Sequence, residues 1–387
     1  MRTTTLAVAC LAVAHISLAC AQETPWPTAG WQTSTPQAQG LADSALVELH
    51  HAVEAGDYGY VDRLVVVRNG YLVMSERYEH DYRQISQGRD TAAHQYNYHH
   101  PDWHPFYMGR AVHTLQSVTK SITSALIGIA IQQGALEGTD VPMLSFFEDY
   151  DLSRADERMR RITLDDLLTM RAGIEWHETD RPVDSTNTTI QLEASDDWVQ
   201  FTLDQPMIHE PGTVWVYNSG ASHLLSAIIK KTTGSYIDEY AEQHLFGPLG
   251  IDEYHWKKTP KGYPDTEGGL YLETEDLAKI GYLYLNDGVW DGRRILPEGW
   301  VAASTARRVD DVAPDNDTLN WGYGYQWWRL DTDGVEVWAG LGYGGQYLLV
   351  IPERGLIGVV NSWNIFGPRP SVLGPFLQTL LESSRTR

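Results

Sequence analysis

Ser117 and Lys120 are the residues whose types and spacing best fit nucleophilic chemistry. A serine hydroxyl is a weak nucleophile at neutral pH unless a base removes its proton. Residues three positions apart share a helix face, so the Lys120 amine can lie beside the Ser117 hydroxyl. Among the lysines of this chain, only Lys120 has a serine three positions before it. Taken alone, the pair also fits a helix cap followed by a solvated lysine.

The segment after Ser117 predicts how this pair is held. Residues 122–131 are apolar nearly all round, which predicts a central, buried helix over residues 117–133. Gly134 is a typical helix end. The pair is therefore expected at the first turn of a buried helix.

The flanking patterns predict an α/β fold. Near the start of the chain, apolar residues are spaced as in a helix, and a hairpin with its turn at Asn69-Gly70 follows. A mainly helical region comes next, and the chain ends in short β-rich runs and a last helix. This order predicts an antiparallel sheet built from both chain ends, flanked by helices, with a mainly helical second domain. The predicted domains are a discontinuous α/β domain, 22–135 and 270–387, and a helical domain, 136–269.

The individual elements follow from periodicity and turn residues. Helices are predicted at 40–55, 163–170, 222–232, 235–245, 273–286 and after Ser371. Strands are predicted at 64–67, 71–78, 323–329, 335–339, 347–351 and 356–362.

The composition limits which classes of binding partner are expected. The 387 residues are 42% hydrophobic, which is enough for a large core. The formal charge of −22 makes nucleic acid and anionic membrane surfaces improbable partners. A small-molecule substrate is the expected partner, and the oligomeric state is left open.

The first residues are typical of an export signal. Arg2 is followed by an apolar stretch and a small-x-small site, Ala19-Cys20-Ala21, which predicts a signal peptide over 1–21 and a periplasmic or secreted protein. The stretch is too short to span a bilayer. A lipid anchor on Cys20 is the alternative. Cys10 and Cys20 are the only cysteines, so the mature chain would have no disulfide and no thiolate metal site.

Two later segments complete a pattern. Tyr217-Asn218-Ser219 follows a Pro-Gly-Thr phrase, and a glycine-rich stretch, 338–346, precedes a predicted strand. In this order, with Ser117 and Lys120 first, they resemble the serine β-lactamase and penicillin-binding-protein superfamily. The resemblance is strongest to its class C-like branch of family VIII-type esterases and 6-aminohexanoate-dimer hydrolases, and it covers about residues 61–362.

The resemblance implies roles for individual residues. Ser117 would be the acylated nucleophile, Lys120 the base or proton relay, and Tyr217 would share the proton. One oxyanion donor would be the Ser117 backbone N–H, and the other would come from the third motif. Tyr343, after Gly342, is the expected second donor; an alternative register places Leu341 there.

Departures from the pattern shape the substrate prediction. β-Lactamases usually carry a lysine in the third motif, but no lysine follows Lys279 here. Ser219 stands where they carry asparagine. Both differences favour short-chain carboxylic esters or small linear amides as substrates. Trp176, in a loop after Gly173, is expected near the cleft.

Two alternative functions fit the same pattern. A D-alanyl-D-alanine carboxypeptidase or β-lactamase-like enzyme is the nearest alternative, and a catalytically inactive binding protein on this fold is the second. No cofactor and no metal is expected. The prolines near the histidines and the absence of an HExxH pattern argue against a metal site, and the acidic loop at 310–317 is expected to be solvated. The histidines concerned are His99, His100, His104 and His113.

Overall fold

A seven-stranded antiparallel sheet organises the residues described by this computed structural model, 26–90, 98–100, 111–310, 312, 320–367 and 369–384. The strands are β1 (Val61–Arg68), β2 (Tyr71–Arg77), β3 (His113–Thr114), β4 (Tyr254–Trp256), β5 (Leu270–Leu272), β6 (Val289–Trp290), β7 (Arg293–Arg294), β8 (Asn320–Tyr323), β9 (Trp328–Thr332), β10 (Val335–Gly342), β11 (Gln346–Ile351) and β12 (Leu356–Ser362). The α-helices are α1 (Asp43–Glu54), α2 (Tyr82–Ile85), α3 (Val118–Gln132), α4 (Leu164–Leu168), α5 (Thr188–Ala194), α6 (Trp198–Leu203), α7 (Ser219–Thr233), α8 (Ile237–Ala241), α9 (Gly247–Leu249), α10 (Thr274–Leu285), α11 (Trp300–Thr305) and α12 (Leu373–Ser383).

The two ends of the chain meet in the main sheet. Its strand order is β2-β1-β12-β11-β10-β9-β8, and β1 pairs antiparallel with β12. The turn between β1 and β2 uses Asn69 (φ 52°) and Gly70 (φ 80°), both in the left-handed region that a two-residue hairpin requires. The predicted antiparallel sheet from both chain ends, flanked by helices, is therefore confirmed.

Strand β1 shows why this sheet is central. Leu64 and Val66 pack with apolar residues of α1 and α12, whereas Val65 and Val67 pack with those of α3 and α10. Side chains alternate between the faces of a strand, so a strand covered on both faces reads as a continuous apolar run.

Helix α3 lies in the interior, and β10 runs close to its first turn. Every residue from Val118 to Ala130 is buried. A Cβ atom on Gly340 would lie 3.0 Å from Val118 Cγ1, and one on Gly342 would lie 2.5 Å from the Leu115 carbonyl oxygen. Glycine at these two positions lets the helix start and the strand approach each other this closely.

Some predicted boundaries were wrong. Helix α7 begins at Ser219, capped by the Asn218 side chain, rather than at residue 222. The run 323–329 divides between β8 and β9, because Gln326 takes a left-handed conformation (φ 61°) between the two strands. Helix α4 begins at Leu164, directly after its Thr163 cap, within one residue of the predicted start at 163. The division into two domains stays a prediction.

Several predictions fall outside the described residues: the signal peptide over 1–21, Cys20, His104 and most of the acidic loop at 310–317. Within the described ranges, no helix combines the length and the apolar character needed to cross a bilayer.

Candidate active site

Ser117 is held at the junction of a short strand and the buried helix. Strand β3 pairs with β5, and the Leu115 backbone N–H donates to Leu270 O (2.9 Å). Gln116 has φ 45°, a left-handed conformation that costs a non-glycine residue about 1 kcal/mol. The Thr114 hydroxyl, 3.2 Å from Gln116 Nε2, accepts a hydrogen bond from it. Strained backbone of this kind clusters at functional sites.

Lys120 is buried beside Ser117. Its residue surface is 1% exposed, and Nζ lies 3.0 Å from Ser117 Oγ. Nζ also lies 3.0 Å from Ser219 Oγ and 2.6 Å from the Glu267 carbonyl oxygen. The Glu267 carboxylate is 3.5 Å away. The amine therefore contacts two hydroxyls at once, one of them on the candidate nucleophile.

Tyr217 is the third member of the group. Lys120 Nζ lies 5.1 Å from the centre of its ring. Burial and the charge of Glu178 raise the pKa of Tyr217 well above its usual value, although the hydrogen bond with the Ser117 side chain lowers it. The phenol is therefore neutral at ordinary pH, and in the resting site it can donate a proton. The structure thus brings Ser117, Lys120 and Tyr217 together.

Aromatic rings surround the Tyr217 side of this group. The Tyr217 ring stacks on Trp328 (5.7 Å between centres, 24° between planes). Trp215 and Tyr323 pack edge-on around the same Trp328 ring. The wall beside the hydroxyl and the amine is therefore apolar.

Four carboxyl groups lie close to this centre, and the sequence analysis did not assign a role to any of them. Burial, opposed by the charge of Lys120, raises the pKa of Glu178. Burial and the charge of Glu267 raise the pKa of Glu193 well above its usual value and that of Asp265 to about 8. Their burial depends on contacts between distant segments, so no local pattern identified them.

Ser219 and Trp176 are connected to the centre through Glu178. The Ser219 hydroxyl donates to Glu178 Oε1 (2.8 Å), and its backbone N–H donates to Oε2 (3.0 Å). Trp176 Nε1 also donates to Oε2 (3.0 Å). Trp176 is only 4% exposed, and a Cβ atom on Gly220 would lie 2.5 Å from its ring. Trp176 therefore packs behind Ser219, and its expected place near the cleft stays a prediction.

Tyr343 follows the end of β10. Its side chain is 45% exposed, and its ring lies 5.5 Å from the Tyr98 ring. Gly342 pairs with Gln346 across the β10–β11 hairpin. Tyr343 therefore belongs to the turn beyond the strand rather than to the stretch of β10 beside α3.

The hairpin before β10 indicates which backbone groups point toward β9. Its two-residue turn is Asp333-Gly334, closed by the pair Thr332–Val335. That closing pair is hydrogen-bonded in such a turn, so alternate residues from Val335 onward direct their N–H toward β9. Leu341 is one of these alternate residues. However, β9 begins at Trp328, which pairs with Ala339, so β9 has no residue opposite Leu341. The Leu341 N–H thus points past the end of β9.

Histidine and carboxylate side chains come close together at His50 and at His113. Among the described residues, His50, His51 and Glu54 have ligand atoms within 4.8 Å of one another, on the surface of α1. His113, one of the histidines weighed above, lies 3.1 Å from Asp62 Oδ2 and contacts the Thr114 carbonyl oxygen. Neither feature adds to the centre around Ser117.

Comparisons with known proteins agree with this architecture. The family model described as Beta-lactamase matches residues 63–375. The chain is 24% identical over 267 residues to the 6-aminohexanoate-dimer hydrolase of Paenarthrobacter ureafaciens, covering 65% of this chain and 66% of that one. It thus spans just under two thirds of that relative's length.

Solved structures show the same fold. A putative 6-aminohexanoate-dimer hydrolase from Bacillus anthracis superposes with a TM-score of 0.67 at 20% identity, covering 86% of this chain and 80% of that one. EstCE1, described as a hydrolase with promiscuous acyltransferase activity, superposes with a TM-score of 0.67 at 14% identity, covering 90% and 99%. The predicted fold type is confirmed.

Proposed function

Because the chain belongs to the β-lactamase family, as the match over residues 63–375 shows, we propose that it is a serine hydrolase acting through an acyl-enzyme. Short-chain carboxylic esters or small linear amides are the proposed substrates. The observation that carries the proposal is the 3.0 Å contact between Lys120 Nζ and Ser117 Oγ in a buried site that also holds the Tyr217 phenol.

The proposed reaction has two halves. In the first, Ser117 Oγ bonds to the substrate carbonyl carbon while its proton passes to neutral Lys120. The bond from carbon to the leaving alcohol or amine breaks, the leaving group takes the Tyr217 proton, and Lys120 returns a proton to Tyr217. In the second half, water bonds to the acyl carbon and gives up a proton, the bond from that carbon to Ser117 Oγ breaks, and the proton passes to Ser117 Oγ as the acid leaves.

The oxyanion requires two backbone donors. The Ser117 N–H is the first, because the initial N–H groups of a helix have no partner within it. For the second, the geometry favours Leu341, the alternative register, over Tyr343. Gly340 packs against Val118 and Gly342 against Leu115 and Gln116, so Leu341 is opposite Ser117 and its N–H points past the end of β9.

The surroundings support a neutral substrate. Glu178 and Glu267 already place negative charge beside Lys120, so an anionic substrate would meet repulsion. The aromatic wall at Tyr217 and Trp328 suits an apolar acyl or leaving group. Export through the 1–21 segment is part of the same proposal.

The test is a burst assay with p-nitrophenyl acetate and butyrate. The wild-type protein should release one equivalent of p-nitrophenol quickly and then turn over, whereas Ser117→Ala should lose nearly all turnover. Covalent labelling by penicillin or hydrolysis of nitrocefin with little ester turnover would instead favour the penicillin-interacting alternative. A wild-type Ser117 that no fluorophosphonate labels would favour the inactive binding protein and contradict the proposal.

A further inference from the structure

Glu178 is hydrogen-bonded to Ser219, the residue whose hydroxyl contacts Lys120. Its Oε1 accepts the Ser219 hydroxyl proton at 2.8 Å. Its Oε2 accepts the Ser219 backbone N–H and Trp176 Nε1, each at 3.0 Å. The Thr189 side chain also hydrogen-bonds to this carboxyl group. Both oxygens of Glu178 are therefore engaged, and neither contacts the nucleophile.

These contacts fix the direction of the hydrogen bond between Ser219 and Lys120. An ionised carboxylate only accepts hydrogen bonds, so the Ser219 proton lies between its Oγ and Glu178. The Ser219 oxygen must then accept from Lys120 Nζ, 3.0 Å away. The Glu267 carbonyl oxygen, 2.6 Å from Nζ, is likewise an acceptor only.

The direction of the hydrogen bond between Lys120 and Ser117 follows from the number of N–H bonds on the lysine nitrogen. A neutral amine has two N–H bonds and one lone pair. The Ser219 hydroxyl and the Glu267 carbonyl oxygen take the two N–H bonds, and the third hydrogen-bonded neighbour of Nζ is Ser117 Oγ at 3.0 Å, whereas the Glu267 carboxylate oxygen is farther away at 3.5 Å. The lone pair then points at the Ser117 hydroxyl, where it can receive the proton.

We propose that Glu178 is a positioning residue: by accepting the Ser219 proton it makes Ser219 an acceptor for Lys120 and so directs the lysine lone pair at Ser117. The proposal rests on the proposed hydrolase function. It assigns Glu178 no contact with the substrate.

Protonating Glu178 reverses this arrangement. Oε2 already accepts two N–H bonds, so the added proton resides on Oε1 and donates to Ser219. The Ser219 hydrogen then turns toward Lys120 and occupies its lone pair. The lone pair of Lys120 then no longer points at Ser117, although no non-hydrogen atom has moved.

The charges around Glu178 set the pH at which this happens. Burial and the negative charge of Glu267 raise its pKa, while Lys120 and the hydrogen bonds from Thr189 and Ser219 lower it, with a net rise. The charge of Glu178 contributes to raising the pKa values of Tyr217, Tyr98 and Tyr323, whose hydroxyls are neutral. Activity should therefore fall as pH falls through a value above the ordinary glutamate pKa of about 4.3.

Glu178→Gln tests the proposal because it imitates the protonated carboxyl group. Its amide oxygen can accept from the Ser219 N–H and Trp176, while its NH₂ group donates to Ser219 Oγ. The burst rate constant with p-nitrophenyl butyrate should fall about 10–100-fold. The wild-type pH profile should show a second protonation on its acid side that Glu178→Gln lacks.

A purely electrostatic role predicts the opposite sign. Removing a negative charge near Lys120 favours the neutral amine, which would speed the burst rather than slow it. The matched control is Glu175→Gln, which makes the same chemical change in the same loop. The Glu175 side chain is 39% exposed and lies 3.4 Å from His177. It should keep the wild-type burst and profile.

Ser219→Ala is the second variant. This variant removes the hydroxyl that connects Glu178 to Lys120, so its pH profile should also lack the second protonation. In a double-mutant cycle, adding Glu178→Gln to Ser219→Ala should slow the burst little further. A folded Glu178→Gln with a wild-type or faster burst would overturn the inference and leave the hydrolase intact, and so would a Ser219→Ala profile that retains the second protonation. A wild-type protein without any burst would instead overturn the proposed function.

Discussion

The two buried lysines of this protein, Lys120 in α3 and Lys279 in α10, are held in different ways. Lys279 is 4% exposed, contacts Asp276 one helical turn away (2.8 Å) and donates to the Gly250 carbonyl oxygen (2.7 Å). Lys120 has its carboxylate farther off, at 3.5 Å, and contacts two hydroxyl groups instead. The first arrangement pairs the nitrogen with a close carboxylate, whereas the second places it between two hydroxyl groups that can exchange protons with it.

The difference lies in what each nitrogen contacts rather than in burial. A close carboxylate favours the charged lysine and gives it a structural role. A hydroxyl can either donate or accept, so the Ser117 hydroxyl can adapt to either protonation state of Lys120. Burial alone therefore does not separate a structural lysine from a catalytic one in this fold.

Replacing each lysine by methionine should separate the two roles, and it is the largest expected effect. Lys120→Met should lower turnover of p-nitrophenyl butyrate by about 10³-fold or more, because no other base contacts Ser117 Oγ among the described residues. Lys279→Met should lower the free energy of unfolding by about 3 kcal/mol, because it leaves Asp276 buried without its cation.

Steady-state kinetics per folded molecule and urea denaturation measure the two effects. Each variant serves as the control for the other. If a folded Lys279→Met protein lost as much kcat as Lys120→Met, the distinction between a structural Lys279 and a catalytic Lys120 would be contradicted.

The phenol beside Lys120 should give the next largest effect. Tyr217→Phe removes one oxygen and keeps the stacking on Trp328. The loss of a proton donor to the leaving group should lower kcat by about 10²–10⁴-fold. Substrates with better leaving groups need less protonation, so the defect should shrink from an alkyl butyrate to p-nitrophenyl butyrate. A defect equal for both esters would contradict a role at the leaving group. Tyr323→Phe is the matched control, since it removes a phenol that packs on the same Trp328 ring.

The sequence was informative where the chemistry is local. Ser117 and Lys120 are three residues apart, and the apolar run behind them identified the buried helix. The Asn69-Gly70 turn and the β-rich C-terminal runs were enough to predict a sheet from both chain ends, because turn residues and alternation act over short distances.

Features that depend on packing between distant segments were missed. The start of α7 at Ser219 depends on the Asn218 cap, which the helical periodicity beginning at residue 222 did not show. Glu178 meets Ser219 across 41 positions, and Glu267 meets Lys120 across 147. An acidic residue in a loop usually reads as solvated, so only the folded chain shows that these carboxyl groups are buried.

The smallest expected effect concerns Asp265, in the carboxyl cluster near Lys120. Burial, then the charge of Glu267, raises its pKa to about 8, above the ordinary value of 3.8. A carboxyl group whose pKa is higher in the folded state stabilises the fold below its unfolded pKa and loses that contribution as pH rises through the folded value. Between about pH 4 and pH 8, Asp265 should therefore make the protein progressively less stable.

Asp265→Asn should remove this dependence while keeping the oxygen that accepts the Glu267 and Gly268 backbone N–H groups. Its Tm should exceed that of the wild type by more at pH 8 than at pH 5 in differential scanning calorimetry. Asp276→Asn is the contrasting variant, because it removes the single carboxylate paired with Lys279 and should lower Tm at pH 8. If both variants lowered Tm equally at pH 8, the Asp265 carboxyl group would be ionised and its charge balanced by a nearby cation, as Lys279 balances the charge of Asp276. The two lysines would then no longer differ in the carboxyl groups around them.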